Sequence, residues 1–371
     1  MMKQILNRWL ATGALVVFCA GSAGAQHFTQ TNLTSDTGIG GTKTDANLVN
    51  PWGMSRSSGS PWWISDNGTN LSTLYGADGT PFPAVPAVPL VVSVPGGPTG
   101  TVFNGTGDFR LNDGKPAAFL FATEGGTILA WNGGAAASVV ASKSDAVYKG
   151  LARAMIDGAN YLYATDFHHG EVDVLDSNFN YVSLRSSHGG NGDDRGSSKL
   201  HPFSLEQGGL KGFAPFNIQN LGGSLFVTFA KQKADKHDEE DGPGLGIVAA
   251  FTPAGRLIRV FESGWWLNAP WALAESPADF GPFSHCLLVG NFGSGQIAAY
   301  SEQTGRFLGL FEDAGGNALS IDGLWGLSFG NGGKAGSPTV LYFTAGPNGE
   351  SNGLFGTLVP AASDLTQGNS N

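Results

Sequence analysis

The stretch Leu48–Ser55, "LVNPWGMS", returns in altered form as "LNAPWALA" (Leu267–Ala274) and "IDGLWGLS" (Ile321–Ser328). A motif that reappears far down one chain makes internal repetition the first thing to test. Alignment on Trp52 brings comparable segments into line around Thr99, Leu151, Phe216, Trp271 and Trp325, at a period of about 50 residues. After each anchor comes a turn holding Gly, Pro, Asn or Asp, and then a second strand. These second strands are "PWWISD" (61–66), "AAFLFATE" (117–124), "NYLYATD" (160–166), "SLFVTFA" (224–230), "CLLVGN" (286–291) and "VLYFTA" (340–345). A third strand follows, as in "GEVDVLDS" and "GQIAAYSEQTG", and in some units a fourth, as in "RLIRVFE" (256–262) and "RFLGLFE" (306–312). Short strands repeated in six similar units predict an all-β fold, a six-bladed β-propeller. A two-sheet sandwich would not require six copies of one unit.

The motif also suggests how the blades meet. Gly53, Gly100, Ala152, Ala272 and Gly326, each after its anchor, are small enough for strands converging on a central channel. Trp52, Phe216, Trp271 and Trp325 are then expected to fill the wedges between neighbouring blades. Pro51, Pro98, Pro215 and Pro270 stand at strand starts, where a missing N–H is tolerated. The sixth unit has only three strands by Leu358. "HFTQTNLT" (27–34) alternates apolar and polar residues and is expected to supply the missing outer strand, sealing the ring. The propeller then spans residues 26–360, and the polar tail 361–371 is expected to be disordered.

Two excursions break the rhythm, "SSHGGNGDDRGSSKLHPFS" (186–204) and "KQKADKHDEEDGPGLG" (231–246). Long loops in a compact fold are commonly functional or disordered.

Residues 1–25 read as a cleaved secretory leader: Lys3 and Arg8, an apolar run, and small residues at Ala23 and Ala25. The expected product is a secreted or periplasmic monomer without a membrane anchor. Glycine is abundant, 57 of 371 residues, and charged residues make up 13% against a usual share of about 25%. Net charge is −10, and loss of the leader would take it to about −12, a field that repels nucleic-acid backbones. The one cysteine beyond the leader, Cys286, has no partner for an internal disulfide and is expected to be buried.

Three groups of residues are candidates for chemistry. Asn50, Asn268 and Asp322 stand two or three residues before Trp52, Trp271 and Trp325 and should approach one mouth of the channel. Oxygen ligands from several blades could hold Ca²⁺ or another divalent cation there, polarising a carbonyl or activating water. The same groups also suit the capping of strand starts. Asp66, Asn67, Glu124, Asp166 and Asn291 end second strands, where Asx residues make turns as well as binding surfaces. Asp166 with His168 could serve as a base and its orienting partner in a hydrolase. The third group is the acidic run Asp235, Asp238, Glu239, Glu240 and Asp241, which lacks EF-hand spacing and reads as a solvated face or a weak calcium site.

"NLVNPWG", "PTGTVFN", "YKGLA", "APFNIQNLGG", "LNAPWALA", "LLVGNFGSG", "DGLWGLSFGNG" and "LYFTAGPNGE…GLFG" resemble an uncharacterised family of exported bacterial proteins, over about Phe28 to Leu358. The resemblance implies a six-bladed propeller related to the NHL-type and gluconolactonase/senescence-marker-type propellers, and implies no particular activity. Some family members carry C-terminal sorting tails, and "VPAASDLTQGNSN" is not one. The lactonase-type relatives use a Glu, an Asn and an Asp around a central metal. Asn268 and Asp322 match the latter two, while Asn50 stands where the Glu is expected.

Two functions fit these readings. The first is a binding or scaffolding module for a protein or carbohydrate, engaged through the loop-bearing face. The alternative is a metal-dependent lactonase- or esterase-like hydrolase with its cation at the channel mouth.

Overall fold

The computed structural model describes residues 26–39, 42–84, 86–184, 202–205 and 211–365. The leader, most of the 186–204 loop and residues 366–371 lie outside them. The chain opens with β1 (Phe28–Ser35) and the two-residue β2 (Lys43–Thr44), then runs through six antiparallel sheets. Blade one holds β3 (Pro51–Ser55), β4 (Trp62–Asp66), β5 (Leu71–Tyr75) and β6 (Val91–Ser93). Blade two holds β7 (Pro98–Phe103), β8 (Phe119–Thr123), β9 (Thr127–Trp131) and β10 (Ser138–Ser142). Blade three has β11 (Tyr148–Ile156), β12 (Ala159–Asp166) and β13 (Glu171–Leu175). Blade four has β14 (Phe213–Leu221), β15 (Ser224–Lys231), β16 (Gly246–Phe251) and β17 (Leu257–Val260). Blade five has β18 (Pro270–Glu275), β19 (Cys286–Asn291), β20 (Ile297–Ser301) and β21 (Phe307–Leu310). Blade six contributes β22 (Leu324–Phe329), β23 (Leu341–Ala345) and β24 (Leu354–Pro360).

The innermost strands β3, β7, β11, β14, β18 and β22 each touch the next, and β22 returns to β3. The ring is a six-bladed propeller. Its seam is sealed as the alternation in 27–34 predicts: β1 pairs antiparallel with β24, from Phe28↔Pro360 to Ser35↔Leu354. Phe28 is buried and stacks on Phe311 at 3.6 Å, so the sealing strand is also pinned to blade five. Of the tail expected to be disordered, residues 361–365 are described and are ordered. Ala362–Leu365 forms a helical turn, and the Asp364 carboxylate accepts the His27 N–H at 2.6 Å. Cys286 is free and buried, and burial pushes its thiol up to about 11.

Two expectations about the inner strands are corrected. The third blade's anchor is Lys149 followed by Gly150, not Leu151 followed by Ala152. A Cβ on Gly100 would meet the Gly150 backbone, and one on Gly150 would lie 2.7 Å from the Cα of Asn217. The backbones therefore touch at Gly150, two residues earlier than the apolar pattern suggests. The large anchors also do not fill wedges between blades. Because the residues beside them are small, the strands converge until the anchors meet one another on the axis. Trp52 stacks on Trp325 at 3.5 Å, and Trp271 sits edge-on to both at 5.9 Å. Phe292 stacks on the Trp325 ring at 4.0 Å, and Phe216 lies 6.1 Å from it. These rings plug the channel.

Each inner strand bulges at its anchor, which removes local ladder bonds. Second-strand threonines repair part of that loss across the blade boundary. The Thr344 hydroxyl accepts the Gly326 N–H at 2.9 Å and donates to the Trp52 carbonyl at 2.6 Å. Thr165 does the same between Gly150 and Phe216, at 2.7 and 3.1 Å.

Candidate functional site at the channel mouth

The loops leading into the inner strands surround one mouth of the plugged channel. Asn50 adopts a left-handed backbone, φ 47°, and so do Ala269 (φ 47°) and Gly323 (φ 66°), which also precede a Trp by two residues. Asn50 is thus the counterpart of Ala269, whereas Asn268 and Asp322 each stand one residue earlier. That offset gives the three sequence candidates different tasks. The Asn268 amide oxygen accepts the Gly242 N–H at 2.7 Å, and its own N–H donates to Asn291 Oδ1 at 2.8 Å. Asn291 also donates to the Gln296 carbonyl, closing its turn. Asp322 is exposed and accepts the Asn348 N–H at 2.8 Å. Among the described residues, Asn50, Asn268 and Asp322 make no side-chain hydrogen bond to one another.

A different set converges. The Trp325 indole donates to Asn50 Oδ1 at 3.0 Å, and Asn50 Nδ2 donates to Glu350 Oε1 at 3.0 Å and to Asn67 Oδ1 at 3.3 Å. Asn67 Nδ2 donates to Glu124 Oε2 at 2.8 Å. The other carboxylate oxygen of Glu124 accepts the Lys149 ammonium at 2.5 Å, and Asp238 lies 3.8 Å from the same nitrogen. This polar chain runs through loops of blades six, one, two and four and the inner strand of blade three. It joins candidates that the sequence assigned to three separate groups.

Lys149 is its pivot. Its side chain is 1% exposed, and its ammonium lies 4.9 Å from the centroid of the Trp52 ring, a cation–π contact against the plug. Burial alone would lower its pKa, but Glu124, Glu239 and Asp238 outweigh that and hold it above the usual lysine value. The carboxylates outnumber it. Glu239 is 6% exposed and is pushed up to about 7, chiefly by burial. Its carboxylate accepts no hydrogen bond from another described residue. Glu350 is raised as well, first by burial and also by the charge on Glu124. It too holds a left-handed backbone, φ 66°. Asp238 is pulled down because His237 and Lys149 overcome the effect of burial.

The acidic run therefore divides. Asp238 and Glu239 enter the mouth, whereas Asp235, Glu240 and Asp241 are exposed. Ligand atoms of Glu124, His237 and Asp238 lie within 4.8 Å of one another, a spacing able to hold a divalent cation.

The remaining candidates lie in separate surroundings. Asp66 is fully buried and accepts the Thr73 hydroxyl at 2.8 Å. Burial raises its pKa strongly, which suits a neutral structural acid more than a ligand. Asp166 does have a histidine, but it is His169 and not His168. His169 Nδ1 lies 2.7 Å from Asp166 Oδ2, because the turn after β12 folds residue 169 back over the strand end, where its backbone N–H also donates to Asp166 Oδ1 at 3.1 Å. Lys143 bridges Asp166, Glu171 and Asp173 at 3.0, 2.7 and 2.9 Å, which occupies that second carboxylate group with an ammonium.

Sequence reasoning missed Lys149, Glu350 and His237, and of the two histidines in "DFHHG" it paired His168 with Asp166 where His169 stands. Lys149 had a usable signal: it is a cation inside an inner strand, in "YKGLA", where most other blades place an aromatic ring. Glu350 had none, since its importance rests on Asn50, 300 residues away.

No protein-family profile matches the chain. It is similar to an uncharacterised protein of Acanthamoeba polyphaga mimivirus, 29% identical over 331 residues, covering 85% of this chain and 76% of the relative. Among solved structures it resembles a Bacteroides thetaiotaomicron protein of unknown function, with TM-score 0.52, 9% identity and coverage of 90% of this chain and 76% of that one. It also resembles a glucose dehydrogenase, with TM-score 0.50, 11% identity and coverage of 90% and 100%. Likeness at these identities speaks to the fold alone.

Proposed function

We propose that the protein is a binding module that captures a cationic group, an ammonium or guanidinium of a protein or peptide partner, at this mouth. One observation carries the reading: four carboxylates, Glu124, Asp238, Glu239 and Glu350, face a single buried ammonium, Lys149. Two of them, Glu239 and Glu350, are raised in pKa chiefly by burial, which Lys149 offsets only in part, leaving them short of counter-charge. A second cation entering beside Glu239 and Glu350 supplies that charge, and Lys149 keeps Glu124 in place. The net charge of −10 attracts such ligands over a longer range. We also read the protein as exported, which the first 25 residues support.

A second reading rests on the Glu124, His237 and Asp238 group. Bound there, a divalent cation would make the mouth a hydrolytic centre, with Glu239, poised near 7, available as acid or base. The Lys149 ammonium already on Glu124 weighs against it.

Calorimetric titration separates the two. Spermidine and an arginine-containing peptide are expected to bind, to lose affinity on Glu239→Gln or Glu350→Gln, and to be unaffected by the exposed Asp279→Asn. Binding of Ca²⁺ or Zn²⁺ without the organic cations, lost on His237→Ala, would replace this reading with the metal centre.

A further inference from the structure

Beyond the aromatic plug, the other half of the channel is open. It forms a cavity of about 410 Å³, within the range of small-molecule sites, with residues of all six inner strands in its wall. Four residues past the anchors Trp52 and Lys149 stand Arg56 and Arg153, and both line it. Among the described residues no carboxylate lines it. Glu275, at the matching place in blade five, is exposed and outside the lining.

Neither guanidinium has an acidic partner among the described residues. Arg56 Nε donates to the Phe329 carbonyl at 2.6 Å, and Arg153 Nη1 donates to Asn160 Oδ1 at 2.8 Å. Arg153 Nε is buried with no partner among the described residues. Burial lowers the pKa of both, yet a guanidinium stays charged in a protein. Two half-buried cations without an acidic partner among the described residues, of which Arg56 rests 5.5 Å from the Trp62 ring, are costly at the rim of a polar cavity unless something compensates them further. The wall supplies hydroxyl and amide groups that are also unengaged: Ser55, Thr101, Gln219 and Ser328 make no side-chain hydrogen bond to a described residue, and the Thr101 hydroxyl is buried.

We propose that this half of the channel binds a small hydroxylated organic anion, its carboxylate held by Arg56 and Arg153 and its hydroxyls by Ser55, Thr101, Gln219 and Ser328. The forked donors of arginine suit a carboxylate or phosphate in two-point contact. The site is independent of the acidic mouth, because the Trp52, Trp271 and Trp325 rings lie between them.

The test is calorimetric titration of the full chain with citrate and, separately, inorganic phosphate. Citrate is expected to bind, with Arg56→Gln and Arg153→Gln each weakening it about tenfold or more, as loss of a charge-assisted hydrogen bond does. Ser328→Phe, which fills the cavity and keeps both arginines, is expected to abolish binding. Arg259→Gln on the surface is expected to leave it unchanged. Phosphate binding as tightly as citrate at the same arginines would assign the site to compact anions generally, and weaker phosphate binding to hydroxylated carboxylates. Absence of binding by either anion overturns the proposal. So does binding that survives both arginine variants or Ser328→Phe.

Discussion

The side-chain amide of Asn50 donates to the carboxylate of Glu350 at 3.0 Å across 300 residues of sequence, and both residues hold left-handed backbone. A non-glycine residue with positive φ is uncommon and persists where its surroundings over-determine it. Here the surroundings are the closed ring: Asn50 enters the first blade and Glu350 lies between the strands of the last. Closure of the seam by β1 and β24 therefore also assembles the mouth.

Asn50→Ala should destabilise the protein by about 2–3 kcal/mol, since it strands the Trp325 indole N–H and leaves alanine at positive φ. Asn50→Gly should cost less, because glycine accepts that backbone. Urea unfolding of the two variants checks the order. Equal losses would mean that the backbone conformation contributes nothing.

Lys149→Met should cost about 3–5 kcal/mol at neutral pH, because it leaves Glu124 and Glu239 without their buried counter-charge. Adding Glu124→Gln should restore part of that loss. A double-mutant cycle reads the coupling, and additive effects would show that the pair is not energetically linked.

The fold was legible in the sequence where its signals are local. Alternating strands, glycine turns and the repeated Trp motif determine six blades, and the alternation in 27–34 marks the sealing strand. Contacts between blades were hidden. The bulge at each anchor shifts the backbone register, so that "YKGLA" hides Lys149 behind the more apolar Leu151. Residue types in "DFHHG" likewise do not say which of His168 and His169 the turn folds back onto Asp166.

Stability should fall as pH rises through Glu239. In the folded state this acid keeps its proton up to about 7, whereas the unfolded chain releases it near 4.5. Its contribution is thus complete below 4.5 and is lost as pH climbs through 7. Glu239→Gln should remove this slope and gain about 3 kcal/mol relative to wild type at alkaline pH. Denaturation of both proteins across that pH range measures the difference. Parallel curves would place the ionisation elsewhere.

Phe28→Ala should cost about 3–5 kcal/mol, since it empties the stack on Phe311 that pins the sealing strand. Hydrogen exchange should then rise first in β1 and β24. Uniform exchange throughout the ring would show that the seam is no weaker than the rest.

The most direct test of the mouth as a cation site is the proton count on binding. Spermidine is titrated calorimetrically near pH 7 in buffers of different ionisation enthalpy. A cation arriving beside Glu239 and Glu350 favours their charged forms, so wild type should release protons on binding and Glu239→Gln should release fewer. Binding with no proton release, or with the same release in both proteins, would contradict the account.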